Sequence, residues 1–528
     1  MAKRSRQTTV PGSERLPVVG AKKVGKVPAD ETVEVTVRLR RAAKFDVRKV
    51  LARRSTRAMT REELASRFGA SAEDAAIVKD FAREYGLAVG EVDLARRSIV
   101  LHGTAAAMQK AFGVKLTAYR TRDQVRFRQR KGGVKAPAKV QSVIEGVFGL
   151  DDRPQAHPHF RARQGSGRFK AHAAAQDFTP PALARLYGFP KSRGAGECIA
   201  LVELGGGYDA GEMKTYFQGL GITPGPTLNA VSVDGAHNAP EGDPNGDDGE
   251  VVLDIQVCGA IASGATIDVY FAPNTDRGFL DAVTRAIHDP QTTVVSISWG
   301  GPEESWTAQM RAAMEDAFQE AAALGIPVFV AAGDDGSGDG VNDGKNHVDF
   351  PASAPHAIAC GGTHVTTKNN SIGSETVWGP PGKGGATGGG FSRYFARPPW
   401  QKGIVTGGGN KRGLPDVAAM RTRTPGTGSW WTARGPPSAA RVRLRRYGPP
   451  SSPCATRRRG STPGSCSRRS TARRPRSGTS PPARTVPSQP ARAGTHARVL
   501  VRRLVRSCWP LPGRHAARPR RVPAAGDL

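Results

Sequence analysis

The stretch GDDGEVVLDIQVCGAIASGATIDVYFAP, Gly246 to Pro273, sets an apolar helical pattern directly before an apolar strand. The pattern repeats on both sides. ECIALVELGGGYD (Glu197 to Asp209) reads as a buried strand ending in glycines, and TTVVSISWGG (Thr292 to Gly301) and IPVFVAAGDDGSGDG (Ile326 to Gly340) are further strands. SWTAQMRAAMEDAFQEAAALG (Ser305 to Gly325) lies between the last two with helical spacing. Apolar strands alternating with helices predict an α/β fold whose parallel sheet is covered on both faces, with chemistry at the strand C-termini.

Within the opening stretch Glu250 and Asp254 are four residues apart, so a helix sets both carboxylates on one face. An acidic first turn also suits the helix dipole, and a solvated helix start is the plain reading of such a pair. Val251, Val252, Leu253, Ile255 and Val257 surround these two, however, and point to a buried helix where unpaired carboxylates are costly. Two close carboxyls in a dry site split their pKa values, which leaves one able to act as a base in acid. FVAAGDDGSGDG holds Asp334, Asp335 and Asp339 after an apolar strand. It reads as a Ca²⁺ loop, although without EF-hand spacing or a closing Glu, as an Asx-stabilised turn, or as strand-end acids aimed into a cleft.

The 528 residues leave room for two or three domains. Residues 1 to 30 are basic and broken by Pro and Gly, and are expected to form a flexible leader. Residues 31 to 150 interleave strands such as ETVEVTVRLRR and RSIVLHG with helices such as TREELASRFGAS, which opens on a Thr-x-x-Glu capping box, so a small α+β domain is expected. Residues 151 to 177 turn polar, basic and aperiodic, and are expected to form an exposed linker open to proteolysis. No apolar run is long enough for a secretory signal or a membrane span. The six Cys show no metal-ligand spacing, and Cys258, inside the apolar helix, reads as a small core residue.

Residues 178 to 419 as a whole resemble the sedolisins, the serine-carboxyl peptidases, and in particular their kumamolisin-like branch. The resemblance rests on VELGGGYD, DGEVVLDIQVCGAIASGATIDVYFAPNTDRGFLDAV, SISWGGPEESW, AAALGIPVFVAAGDDGS, HVDFPASAPHAIACGGT, TGGGFSRYF and GLPDVAA. It implies a subtilisin-like fold preceded by a ferredoxin-like activation prodomain at residues 31 to 150, with the maturation cleavage falling between 151 and 177. It also implies an acid endopeptidase zymogen acting on protein or peptide substrates, inhibited by its own prodomain, exported from the cell, and dependent on Ca²⁺. By position, the family's general base falls on Glu250, its supporting acid on Asp254 and its oxyanion-hole acid on Asp334. Glu203 and Trp299 fall on a network behind the base, and Ser298, Trp299 and Gly300 on the strand that pairs with substrate. The nucleophile motif GGTSAxAP is absent from the chain.

From Met420 onward the composition changes to Arg, Pro, Ser, Ala and Gly, and 25 Arg, no Lys and one acid, Asp527, supply +24 of the net +31. A GC-rich gene read one nucleotide out of register gives this composition. Shifting the register back makes Met420 to Pro425 compatible with Asn-Ala-Asp-Pro-Asp-Thr, and Ser438 to Ser451 with V-G-G-T-S-A-x-A-P-L-W-A-A-L, so the nucleophilic Ser lies out of frame at Val442. Ser477 to Pro481 and Ala493 to Val499 likewise permit F-R-D-I-T and G-W-D-P-C-T-G, whose aspartates belong to the family's C-terminal Ca²⁺ site; those ligands are missing from this chain. Residues 420 to 528 are therefore expected to be an out-of-frame, disordered tail on an incomplete catalytic domain, and the chain inactive as encoded. Two other readings stand against this: a non-catalytic peptide-binding protein, and an enzyme with an Arg-rich nucleic-acid-binding tail. The second has no Lys or regular aromatic interleaving to support it and does not account for the hidden motifs.

Overall fold

In the computed structural model, which describes residues 7–52, 58–121, 124–160, 178–379, 385–405 and 407–421, the strand Cys198–Glu203 lies inside an eight-stranded sheet. Thr266–Phe271 and Val294–Ile297 flank it in parallel, and Val328–Ala331 and Ile358–Lys368 extend the sheet in the same sense. Ser371–Val377 adds an antiparallel pairing beyond Ile358–Lys368. Side chains alternate across the central strand: Ala200 and Val202 face one helical layer, built from Asp276–His288 and Ala308–Leu324, with Phe279, Val283, Met314 and Phe318 in its core. Leu201 faces the other, where Val251, Val252 and Ile255 of the helix Asp247–Ile261 pack with Met213 and Phe217. This is the expected subtilisin-like parallel sheet with helices on both faces. Its last parallel strand, Val417–Met420, pairs with Ile358–Lys368 and ends on Met420, the first residue of altered composition, which packs on Leu183 and Val365. Of residues 420 to 528, expected to be disordered, Met420 and Arg421 are instead held by the sheet, and residues 422 to 528 lie outside the described residues.

The first domain is a four-stranded antiparallel sheet, Ala88–Asp93, Ser98–Thr104, Thr32–Leu39 and Ile144–Phe148, with the helices Ala72–Glu84 and Ala105–Ala111 packed on it. The capping box at Thr60 forms as the sequence predicts, with both reciprocal bonds made. Two expectations need correction. Residues 7 to 30 are not a flexible leader: Gln7–Thr9 pairs with Lys135–Pro137, Lys22–Lys26 pairs with Lys115–Arg120, and Val10 and Ser13 are buried. The Pro and Gly read as signs of flexibility are the turns between these short strands. Residues 151 to 156 are not exposed linker either, because Asp151 is buried holding Arg153 through two bonds of 2.7 Å, and Arg15 reaches Asp276 at 2.9 Å beside it. A polar sequence reads as exposed; here ion pairs satisfy its charges in the interior.

The two domains share a charged seam. Asp316 and Glu320, on the helix Ala308–Leu324, face three arginines of the first domain: Arg38 lies 2.7 Å from Asp316, Arg41 lies 2.8 Å from Asp316 and 2.6 Å from Glu320, and Arg97 contacts both acids. Despite burial, the guanidinium groups hold both carboxyls below their ordinary range; for Glu320 the His288 hydrogen bond is the largest of the lowering influences. Depressed native pKa values mean that this stabilisation is complete above the unfolded carboxylate range and is lost as pH falls through the native values. The seam is therefore expected to hold at pH 5 and to weaken steeply only below about pH 4. Hydrogen exchange of Thr32–Leu39 against pH checks this, and loss of protection already at pH 6 contradicts it.

Candidate active site

The helix Asp247–Ile261 starts at Gly246 with no side-chain cap and carries Glu250 in its first turn and Asp254 in its second. Glu250 is buried with Oε2 lacking a hydrogen-bond partner. Burial first, then the charges of Asp254, Glu203 and Asp334, push its carboxyl well above the usual range. Asp254 accepts a 2.8 Å bond from Ser298 Oγ and is pushed up to about 6, mainly by burial. Glu203 ends the central strand, fully buried, and Oε2 accepts a 2.8 Å bond from Trp299 Nε1 while Oε1 has no partner; burial raises it too. The predicted Glu203, Glu250, Asp254, Ser298 and Trp299 thus meet in one place, because the Cys198–Glu203 and Val294–Ile297 strands lie side by side and both end at the helix start. Three neighbouring carboxyls raised by burial and by one another in a dry site titrate as a coupled set, not independently.

Ser298, Trp299 and Gly300 form the edge on which another strand sits. His157–Pro158 pairs antiparallel with it, His157 opposite Gly300 and Pro158 opposite Trp299, and His159 N donates to Ser298 O at 2.9 Å. The chain's own 157–159 segment therefore lies as a backbone-paired strand in the cleft. The rest of the expected linker, residues 161 to 177, is outside the described residues. The side chain of His159 is 8% exposed and sits 2.9 Å from Asp349 Oδ2 at an angle that makes no hydrogen bond. Phe160 then lies against Gly249, where an added Cβ would stand 2.6 Å from its ring. His159 thus meets Asp349 while Phe160 meets the first turn of the helix that bears Glu250.

That pocket was not legible from spacing. Asp349, in the strand Asp349–Phe350 paired with Gly301 and Pro302, is fully buried beside His159, and burial drives its pKa well up. Asp339 is also buried, raised to about 8 by burial and then by Asp349. The only sequence signal for Asp349 is an acid set between Val348 and Phe350 in an otherwise apolar run. A Cβ on Gly300 would stand 2.3 Å from Asp349 Oδ1, so this position requires glycine. Gly300→Ala is expected to destabilise the protein by about 1–3 kcal/mol through overpacking; an unchanged melting temperature would count against this.

Asp334 follows the strand Val328–Ala331, and its carbonyl accepts a 2.9 Å bond from Ala386 N. Its side chain faces Arg421, whose Nη2 is 3.6 Å away and whose guanidinium lies over the Trp378 ring at 4.1 Å. The Ca²⁺ aspartates expected from family resemblance fall at residues 477 to 499, outside the described residues. Among the described residues no group of three or more His, Cys, Asp or Glu is gathered to hold a metal ion. No described helix is long and apolar enough to cross a membrane.

Comparison with known proteins places this geometry. The Pro-kumamolisin activation domain family matches residues 19–153. The chain is 47% identical to kumamolisin of Bacillus sp. (strain MN-32) over 423 residues, which is 76% of this chain and 76% of that one. It is 29% identical to tripeptidyl-peptidase sed5 of Aspergillus fumigatus over 406 residues, 67% of this chain and 68% of the relative. Sedolisin of Pseudomonas sp. (strain 101) is 27% identical over 380 residues, 68% of this chain and 64% of the relative. With its activation domain ahead of a buried carboxylate cleft, the chain belongs to the sedolisin family of serine-carboxyl peptidases.

Proposed function

We propose that this chain is the zymogen of an acid-acting serine-carboxyl endopeptidase, made inactive by a frame change at Ala419 that removes the nucleophile. The observation that carries the peptidase reading is the strand pairing of residues 157–159 with Ser298–Gly300, which sets His159 at Asp349 and Phe160 against the helix bearing Glu250. In the intact enzyme the Glu250 carboxylate takes the proton of the attacking hydroxyl and becomes neutral, Asp254 and Glu203 tune and position it from behind, and Asp334, when protonated, donates to the oxyanion that carries the new charge. A residue seated as His159 is meets Asp349 and Asp339, so the site favours a basic side chain before the scissile bond. Protein and peptide substrates, outside the cell, follow from this reading. Inhibition comes from the linker strand that follows the prodomain and fills the cleft.

The test inserts one nucleotide at the Ala419 codon, matures the product in acid and assays peptide hydrolysis between about pH 3 and pH 5, where carboxyl chemistry operates. Cleavage after basic residues supports the reading. A folded, matured product that cleaves no peptide overturns it.

A further inference from the structure

The loop from Gly336 to His347 leads into the strand Asp349–Phe350 and carries Asp339. It contains one 3-10 turn, Gly336–Gly338, and no strand, so its shape depends on how it is closed. His347 closes it. The backbone N–H of His347 donates to Ser337 O at 2.8 Å. Its side chain, 6% exposed, stands between two carboxylates: Nε2 is 2.9 Å from Asp343 Oδ1 on the loop itself, and Nδ1 is 3.1 Å from Glu304 Oε1 on the turn Glu303–Ser305. The other charges around this group are Arg393, 2.9 Å from Glu304 Oε1 and donating to Asn346 O at 3.0 Å, and Lys345, 3.9 Å from Asp343 Oδ2. Behind Glu304, Glu303 accepts from Ser392 Oγ at 2.7 Å, and its carbonyl accepts from Arg311 at 3.0 Å. Neutral imidazole has a single N–H and turns a lone pair toward one of its two acids, whereas imidazolium presents an N–H to both. Burial works against that charge, but Asp343 and Glu304 outweigh it and raise the His347 pKa above its ordinary value.

We infer that His347, as the imidazolium, is the positioning residue for the acid seat in which His159 lies: it fastens the loop 336–347 and thereby holds Asp339 against Asp349. The two acids do meet. A Cβ on Gly333 would stand 2.9 Å from Asp339 Oδ1 and 3.6 Å from Asp349 Cβ, so both side chains pack on the same glycine. Asp339 also has a φ of 45°, a left-handed conformation unfavourable for a residue with a side chain, which the closed loop has to hold. Because the native His347 pKa is raised, the clasp is complete below the ordinary imidazole range and is lost as pH rises through the raised value. Asp343 is held below the usual carboxylate range, first by its hydrogen bond with His347, so the clasp survives in acid. The seat is thus assembled under acid conditions by a group that takes no part in the carboxyl chemistry. The fastening of the loop stands on these contacts alone; its consequence for a substrate side chain rests on the peptidase reading.

The experiment follows amide exchange in the full chain from about pH 5 to about pH 9, either side of the ordinary imidazole value of about 6.5, with rates corrected for their intrinsic pH dependence. Exchange at the His347 N–H and across the loop is expected to rise by about fivefold or more, the difference between a charge-assisted and a neutral hydrogen bond. The His159 N–H, bonded to Ser298 O, is expected to lose protection with it. His347→Lys carries its charge throughout and is expected to keep the loop protected at the alkaline end, whereas His347→Gln is expected to exchange fast at both ends. Loop exchange that does not change with pH in the chain as encoded overturns the proposal. So does a pH dependence that persists in His347→Lys, which assigns the effect to Asp339 or Asp349, or a His347→Lys loop no better protected than that of His347→Gln. A loop that loosens while His159 stays protected leaves His347 no positioning role and overturns it as well. Should His347→Gln not fold, Asp343→Asn removes the loop's own acid and is expected to lower the midpoint of the transition; an unmoved midpoint counts against the clasp. None of these readouts involves hydrolysis, so their failure leaves the peptidase reading of the repaired gene standing, and failure of the repaired gene to cleave leaves the clasp intact.

Discussion

Inserting a single nucleotide at the Ala419 codon is expected to raise kcat for peptide hydrolysis by on the order of 10⁶-fold, the cost of losing the nucleophile in subtilisin. The reasoning starts from what remains in the chain. Glu250 is buried, raised by its surroundings, and has an oxygen without a partner. It is a base with nothing to deprotonate. Ser298 is the hydroxyl nearest this group, but its Oγ donates to Asp254 at 2.8 Å and its carbonyl is taken by the linker strand, so it positions rather than attacks. On the proposed reading, the frame change also sets Arg421 3.6 Å from Asp334, where it pairs with the acid assigned to the oxyanion. Restoring the frame repairs both faults at once. In the repaired chain Glu250→Gln is expected to return the rate nearly to background, because base and nucleophile act as a unit and their losses do not add. Pre-steady-state assays of the three purified chains on one acid-stable fluorogenic peptide decide the matter, and a measurable rate from the chain as encoded contradicts the missing-nucleophile account.

How much of this was legible in the sequence depends on how far each signal reaches along the chain. Glu250 and Asp254 could be found because the apolar residues beside them report burial locally. Glu203, Ser298, Trp299 and Asp334 came through resemblance, each in a strand-end motif of a few residues, and the first five predicted positions meet in one cleft. What stayed hidden depends on contacts distant in sequence. The His157–Pro158 strand is two residues long and has no pattern of its own; it is a strand only because Trp299 and Gly300 offer an edge. Asp151, Arg153 and Arg15 read as solvent-facing polar residues, and nothing near them in sequence reveals that they satisfy one another in the interior. Asp349 is the same case: a single acid in a β-strand cannot be read as buried until the strand beside it is known.

Replacing Arg97 by Met is expected to cost about 3–5 kcal/mol of the stability that joins the first domain to the second, the range for breaking one side of a buried ion pair. Arg97 has no exposed side-chain surface; its Nη1 donates to Leu39 O at 3.0 Å and Glu145 at 2.7 Å, and its Nη2 contacts Asp316 and Glu320 across the domain boundary. Its pKa is raised by these acids in spite of burial, so the charge is held rather than lost. Removing it leaves Arg38 and Arg41 to satisfy two acids that had three arginines and His288 around them. The penalty arises chiefly from the stranded carboxylates, not from the contact itself. That distinction is testable. A second substitution, Glu320→Gln, made on Arg97→Met should recover part of the loss, whereas Glu320→Gln alone should be destabilising, since it strands the arginines instead. The double-mutant cycle in urea, followed by Trp fluorescence and by hydrogen exchange at Thr32–Leu39, measures the coupling. Additive losses would mean that Arg97 acts by packing alone. A positive coupling of 1 kcal/mol or more, in the range of about 0.5–3 kcal/mol for groups sharing a network, locates the zymogen's restraint in this seam. Because both acids titrate below their usual range, the coupling should persist at pH 5 and vanish only where Asp316 and Glu320 themselves take up protons.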